Sequence, residues 1–214
     1  MPEMARAVST REFAAVMPVG EANPMSTTLR VPAFSGSARN GSLNRKLLGV
    51  AVEAVRAAGA EITLLDPDDY TPPLYHGDAE AVEGMPAKAA KLVKLALAHH
   101  ALLIASPEYN SFPTPLLKNT LDWMSRADEE PFAGKVAAVV SASPGALGGM
   151  RSQVLVRQLL GHLGCHVVPA YCTLSRAHEG FDGDGRLKDS RAQKSVDELA
   201  TQLVDIARKI GRVS

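Results

Sequence analysis

From residue 29 onward, short apolar runs alternate with stretches of helical periodicity, and this alternation limits the fold more than any other feature. The runs 29–34, 61–65, 101–105, 135–141 and 165–171 read as strands, and the stretches 44–58, 85–100, 115–126, 150–163 and 190–210 read as helices. Ala101 to Ala105 is apolar at every position, as expected of a parallel strand covered on both faces. Val196, Leu199, Leu203, Ile206 and Ile210 recur at helical spacing, which gives the last helix one core-facing stripe. Strict alternation predicts one α/β domain over 29–214, a three-layer sandwich around a parallel sheet of about five strands in the order 2-1-3-4-5. Pro169 suits the last strand to a sheet edge, where a missing donor is tolerated.

That order brings the C-terminal ends of strands 1, 3 and 4 side by side at the switch point, where ligands bind in open α/β sheets. Each of the three strands runs into a polar loop. The first, Ser35-Gly36-Ser37-Ala38-Arg39-Asn40-Gly41-Ser42-Leu43-Asn44, is rich in small and hydroxyl residues and enters a helix directly. Close backbone approach at glycine, serine hydroxyls, the Arg39 charge and the N–H groups of a helix N-terminus together make a phosphate cradle. A hydroxyl-rich helix cap without ligand is the competing account of this loop taken alone, and the G-x-G-x-x-G of a dinucleotide site is absent. The second loop begins Ser106-Pro107-Glu108-Tyr109-Asn110 and leads through Pro113 and Pro115 into a helix with Leu117-Lys118-Asn119 and Asp122-Trp123. The third, Ser141 to Arg151, is a glycine-rich turn containing Ser143, Gly145, Gly148 and Gly149.

The P-E-Y-N loop, the proline-bounded turns and the L-K-N-x-x-D-W helix resemble the NAD(P)H-dependent FMN reductase family of flavodoxin-like proteins. The S-G-S-x-R-x-x-S-x-N loop, Pro73-Leu74-Tyr75 and Phe181-Asp182-Gly183-Asp184-Gly185-Arg186-Leu187 extend the resemblance from Leu29 nearly to the C-terminus. The resemblance implies FMN as cofactor and NADPH or NADH as co-substrate. It assigns the FMN phosphate to Ser37, Arg39, Ser42 and Asn44, and the ring and ribityl region to Pro107, Glu108, Tyr109 and Asn110. Ser143, Gly145, Gly148 and Gly149 would offer backbone groups at the polar edge of the ring. No catalytic side chain is required, since hydride chemistry resides in the flavin. Backbone N–H groups of Glu108 and Tyr109 are expected to matter more than their side chains. The acceptor is expected to be a quinone, an azo or nitro compound, chromate or free flavin, reached by a ping-pong mechanism. The family also implies a homodimer or homotetramer, paired through the helix that carries Trp123.

Composition narrows the alternatives. Lys+Arg and Asp+Glu both number 23, so no basic excess exists to neutralise nucleic acid. The same neutrality disfavours an electron-carrier flavodoxin, the main rival, because such carriers are acidic for docking, while a non-catalytic flavin-binding protein is a second alternative on which charge does not bear. No apolar run approaches the roughly 20 residues of a membrane span, and no secretory h-region opens the chain. A cytoplasmic protein is therefore expected. Residues 1–28 read as an N-terminal extension, with Met25 opening a sensible domain start. Cys165, between His162 and His166, has a spacing that resembles a metal motif, but Gly164 and the apolar run that follows favour packing. His99 and His100 fall in the last turn of a helix and are expected to cap it or face solvent.

Overall fold

A computed structural model describes residues 28–211. The central sheet contains β1 (Leu29–Ser35), β2 (Ala60–Leu64), β3 (Ala101–Ala105), β6 (Val136–Ala142), β7 (His166–Val167) and β8 (Cys172–Leu174), all parallel where they pair. Its order is β2-β1-β3-β6-β7, with β8 also on β6. This is the expected doubly wound order. A separate antiparallel hairpin joins β4 (Glu108–Tyr109) and β5 (Phe112–Pro113).

The period-two pattern of the strands sorts their side chains into two cores. Leu29, Val31 and Ala33 of β1, with Leu103 of β3 and Val140 of β6, pack under α1 (Leu43–Ala57) and α7 (Ser190–Gly211). Phe34, Leu102, Ile104 and Val139 face the opposite layer, formed by α4 (Ala87–Ala98), α5 (Pro115–Met124) and α6 (Met150–His162). The predicted stripe of α7 buries Val196, Leu199 and Leu203, and fades by Ile210, which is exposed.

Three elements depart from the sequence pattern. The long loop after β2 contains two short helices, α2 (Pro67–Tyr70) and α3 (Gly77–Glu83). Asp66 caps α2 by accepting from the Asp68 amide, and Pro67 starts it. The last strand is broken at Pro169, which cannot donate. Arg157 fills the gap by donating to the carbonyls of Val168 and Ala170, while the Gln202 carboxamide accepts from Ala170 N–H. His99 is the C-cap of α4, its N–H donating to the Ala96 carbonyl and its ring bonding the Leu95 carbonyl and Thr63, but it is buried; His100 instead turns to β1, accepting from Arg30 N–H. The segment 1–27, which holds nearly all of the expected extension, lies outside the described residues.

Candidate functional site

The first turn runs from β1 into α1. Ser42 is the N-cap, its hydroxyl accepting from the Arg45 amide at 3.3 Å. The amides of Leu43 and Asn44 lie in the first helical turn, where no intrahelical acceptor exists, so they remain donors for an anion. Arg39 is exposed and joins no ion pair among the described residues. Ser37 and Ser42 are buried, with the Ser37 amide donating to Ser35 Oγ. The Asn44 side chain points elsewhere: it donates to the Ala142 carbonyl and accepts from the Ala142 amide, at 2.8 and 2.9 Å. Asn44 thus ties the start of α1 to the end of β6, and what it retains for a phosphate is mainly its backbone amide.

Gly36 fixes this turn against the second loop. A Cβ there would lie 2.7 Å from Leu117 Cβ and 2.9 Å from Thr114 Oγ1, so only glycine fits without displacement. The Thr114 hydroxyl donates to the Gly36 carbonyl and also caps α5 through the Leu117 amide. From the other side Tyr70 clamps Ser35, accepting from its amide and donating to its carbonyl. Burial pushes the Tyr70 hydroxyl up to about 12, so it stays protonated in this role. Arg45 and Asp66 add an ion pair at 3.0 Å beside the turn.

The second loop is the β4–β5 hairpin, whose two-residue turn, Asn110-Ser111, has positive φ at both positions. That is the geometry of a twist-matched hairpin turn, for which asparagine is suited. Tyr109 and Phe112 stand 53% and 63% exposed on it. Glu108 turns back: its carboxylate, 8% exposed, accepts from the amides of Arg151 and Ser152 and from the Arg151 guanidinium. Burial alone would raise its pKa, but the Arg151 and Ser152 donors prevail and hold it below the usual carboxylate range. Its carboxylate therefore occupies the N-terminus of α6. Beneath it, the Ser152 hydroxyl donates to the Pro107 carbonyl, and Ser106 and Ser152 share a 2.8 Å bond.

The third turn, from β6 into α6, is shaped by close backbone approach. Gly148 has φ +60° and a Cβ there would sit 2.8 Å from the backbone of Leu174 and Ser175; Gly149, the α6 N-cap, has φ +87°. The Ser143 amide donates to the Leu174 carbonyl, and its hydroxyl accepts from the Gly145 amide. Pro144 to Leu147 stand exposed at the mouth. Gln153, fully buried, holds β6 and β8 together by donating to the carbonyls of Val139 and Cys172.

All three turns lie at the C-terminal edge of β1, β3 and β6, as the strand order requires. Tyr70, Thr114, Arg151 and Ser152 were not signalled by the sequence, since their partners lie far away along the chain. The L-K-N-x-x-D-W helix does have a visible structural use. Asn119 and Trp123, one turn apart, both donate to the Pro73 carbonyl, and Asn119 accepts from the Tyr75 amide. Trp123 is consequently 2% exposed, roofed by Tyr75 at 5.0 Å between ring centroids. Cys165 and Cys172 are buried free thiols, and Cys165 donates to the Phe132 carbonyl. No described helix is long and apolar enough to cross a membrane.

A doubly wound sheet with an open helix N-terminus at its switch point defines a flavodoxin-like α/β protein. Residues 29–179 match the model of the NADPH-dependent FMN reductase family, and the chain belongs to that family. An NAD(P)H-dependent FMN reductase of Pseudomonas aeruginosa is 38% identical over 175 residues, covering 81% of this chain and 92% of the relative. A quinone reductase of Escherichia coli is 35% identical over 191 residues, 88% of this chain and 99% of the relative. Among solved structures, the flavoenzyme NAD(P)H:(acceptor) oxidoreductase FerB of Paracoccus denitrificans superposes with a TM-score of 0.72 at 28% identity, covering 86% of this chain and 99% of that one. The chain is thus an oxidoreductase of the FMN-binding, NAD(P)H-dependent kind, and the uncapped amides at the start of α1 with Arg39, which joins no ion pair among the described residues, are of the chemistry that a phosphate-bearing cofactor needs.

Proposed function

We propose that the protein is an FMN-dependent NAD(P)H oxidoreductase that reduces a small acceptor such as a quinone, an azo or nitro compound, chromate or free flavin. The observation that carries this reading is the open N-terminus of α1, flanked by the unpaired Arg39 at the edge where three loops meet. Arg39, the hydroxyls of Ser37 and Ser42, and the backbone amide of Asn44 hold the FMN phosphate. Pro107 to Asn110 line the ring and ribityl chain, chiefly through backbone, because the Glu108 carboxylate is engaged at α6. Ser143 and Gly145 meet the polar edge of the ring, and Gly148 and Gly149 set the backbone path that brings them there. Bound FMN supplies the hydride transfer itself. Donor and acceptor use one opening in turn, which is ping-pong kinetics.

Exposed Tyr109, Phe112, Leu147, Met150 and Val154 lie on the hairpin, the third turn and α6, which pack together. Such an apolar surface beside the cradle supports a homodimer or a dimer of dimers, with the flavin near the subunit contact. Two buried thiols without a disulfide suit a reducing cytoplasm. The test is direct: purify the protein, record its visible spectrum and follow NADPH and NADH oxidation with quinone, ferricyanide and an azo dye. A yellow holoprotein with parallel initial-rate lines is expected. Absence of bound FMN, or no oxidation of either nucleotide with any acceptor, would overturn the reading.

A further inference from the structure

The opposite end of the sheet carries a second concentration of charge that the flavin site does not use. Arg30, His100 and Lys135 come from the N-terminal ends of the adjacent strands β1, β3 and β6 and stand at one level across them. The register is fixed by backbone bonds. Arg30 N–H donates to His100 Nδ1 at 3.1 Å, and His100 N–H returns to the Arg30 carbonyl at 2.9 Å. Lys135 immediately precedes Val136, which pairs with Ala101 just after His100. Lys135 Nζ donates to the His99 carbonyl at 2.8 Å. These residues line a cavity of about 310 Å³ closed on one side by Ala207 and Ile210 of α7.

Two observations make the row unusual. None of Arg30, His99, His100 or Lys135 is ion-paired to a carboxylate among the described residues, although Glu61 sits beside Arg30 in the β1–β2 register. Arg30 Nε is also a buried donor with no partner. A buried donor left unmade is costly, and so are two cations, Arg30 and Lys135, held at one level on the strands either side of β3 without a carboxylate partner; an anion in the cavity offsets the charge of both. Burial holds the His99 and His100 imidazoles and the Lys135 ammonium below their ordinary pKa values, and the Arg30 charge lowers both histidines further.

We propose that this cavity binds a tetrahedral oxyanion of the phosphate or sulfate type, held by the Arg30 guanidinium, the free Nε2 of His100 and the Lys135 ammonium. The site is separate from the flavin cradle, which lies at the other end of the same strands. The experiment is a titration of the full chain with sulfate, and in parallel with inorganic phosphate, at ionic strength held constant with chloride. The readout is the side-chain NMR signals of His99 and His100. Saturable shifts with either oxyanion, absent with chloride alone, are expected. Arg30→Gln should weaken binding about tenfold or more, the loss of one charge-assisted contact. Arg39→Ala should leave the His100 response intact, which separates this site from the flavin phosphate loop whether or not FMN binds there. An unresponsive His100 in the wild-type chain would overturn the proposal, as would a response that survives Arg30→Gln and vanishes in Arg39→Ala.

Discussion

Two strand-to-helix turns at the same sheet edge present helix N-termini, and they are finished in opposite ways. At α1 the Ser42 hydroxyl satisfies one amide, while Arg39 beside it remains unpaired. At α6 the equivalent donors, the amides of Arg151 and Ser152, are already taken by the Glu108 carboxylate from the neighbouring hairpin. Both ends carry the same partial positive charge. One is left for an external anion, and the other is closed by an internal one that also locks the second loop to the third. An edge that offers two helix N-termini is therefore expected to hold one external phosphate, at α1.

The largest effect is expected at the closed turn. Gly148→Ala would place a side chain at positive φ and drive Cβ into the Leu174–Ser175 backbone, so both strain and overlap apply. A loss of roughly 3 kcal/mol is expected from overpacking and left-handed strain together, read by urea unfolding. Little change would mean that the turn yields, and that the closed end is less rigid than its contacts imply. Arg39→Ala addresses the open turn. It should weaken FMN by about 1.5–3 kcal/mol, roughly tenfold to a hundredfold, and leave the apoprotein's stability nearly unchanged. Fluorescence titration of FMN checks the first part and thermal unfolding of the apoprotein the second. Unaltered FMN affinity would move the phosphate away from α1.

Glu108→Gln should do the reverse. It removes the charge that the α6 end receives from inside, so apoprotein stability should fall by about 1.5–3 kcal/mol, the value of a hydrogen bond strengthened by charge. The pH dependence has a definite sign. The Glu108 pKa is lower in the folded chain than in the unfolded one, so its contribution is present above the unfolded value and is lost as pH falls through the folded value. In Glu108→Gln that acid-limb loss should disappear. An acid limb identical to wild type would show that the carboxylate does not carry it.

The sheet was legible because burial on both faces leaves little ambiguity: β3 is apolar throughout, and β1 and β6 feed alternating side chains to two cores. The order followed from the alternation and placed the three loops correctly. The edge strand was not legible as two pieces, because its repair at Pro169 relies on Arg157 and Gln202, which no local pattern assigns to it. Helix α3 escaped because it buries no residue and so leaves no stripe in the sequence. Within the site, residue types were readable while their partners were not. Glu108 was expected to act through its backbone, and its carboxylate is indeed engaged by Arg151; the Asn44 carboxamide is taken by Ala142, which leaves its backbone amide for the phosphate.

The smallest effect belongs to Ser42, where cap and ligand roles can be separated. Its hydroxyl oxygen accepts from the Arg45 amide, which leaves its own hydrogen free for a phosphate oxygen. Ser42→Ala removes the cap in every state, so the apoprotein should lose about 1 kcal/mol. If the hydroxyl also contacts FMN, the FMN-saturated protein should lose a further 0.5–1.5 kcal/mol or so, the net value of one hydrogen bond. By linkage, that excess must equal the loss in FMN binding free energy measured independently. Equal losses with and without FMN would make Ser42 a cap alone. The open helix end would then rest on Arg39 and backbone amides, which would sharpen its contrast with α6, where a side-chain carboxylate does the closing.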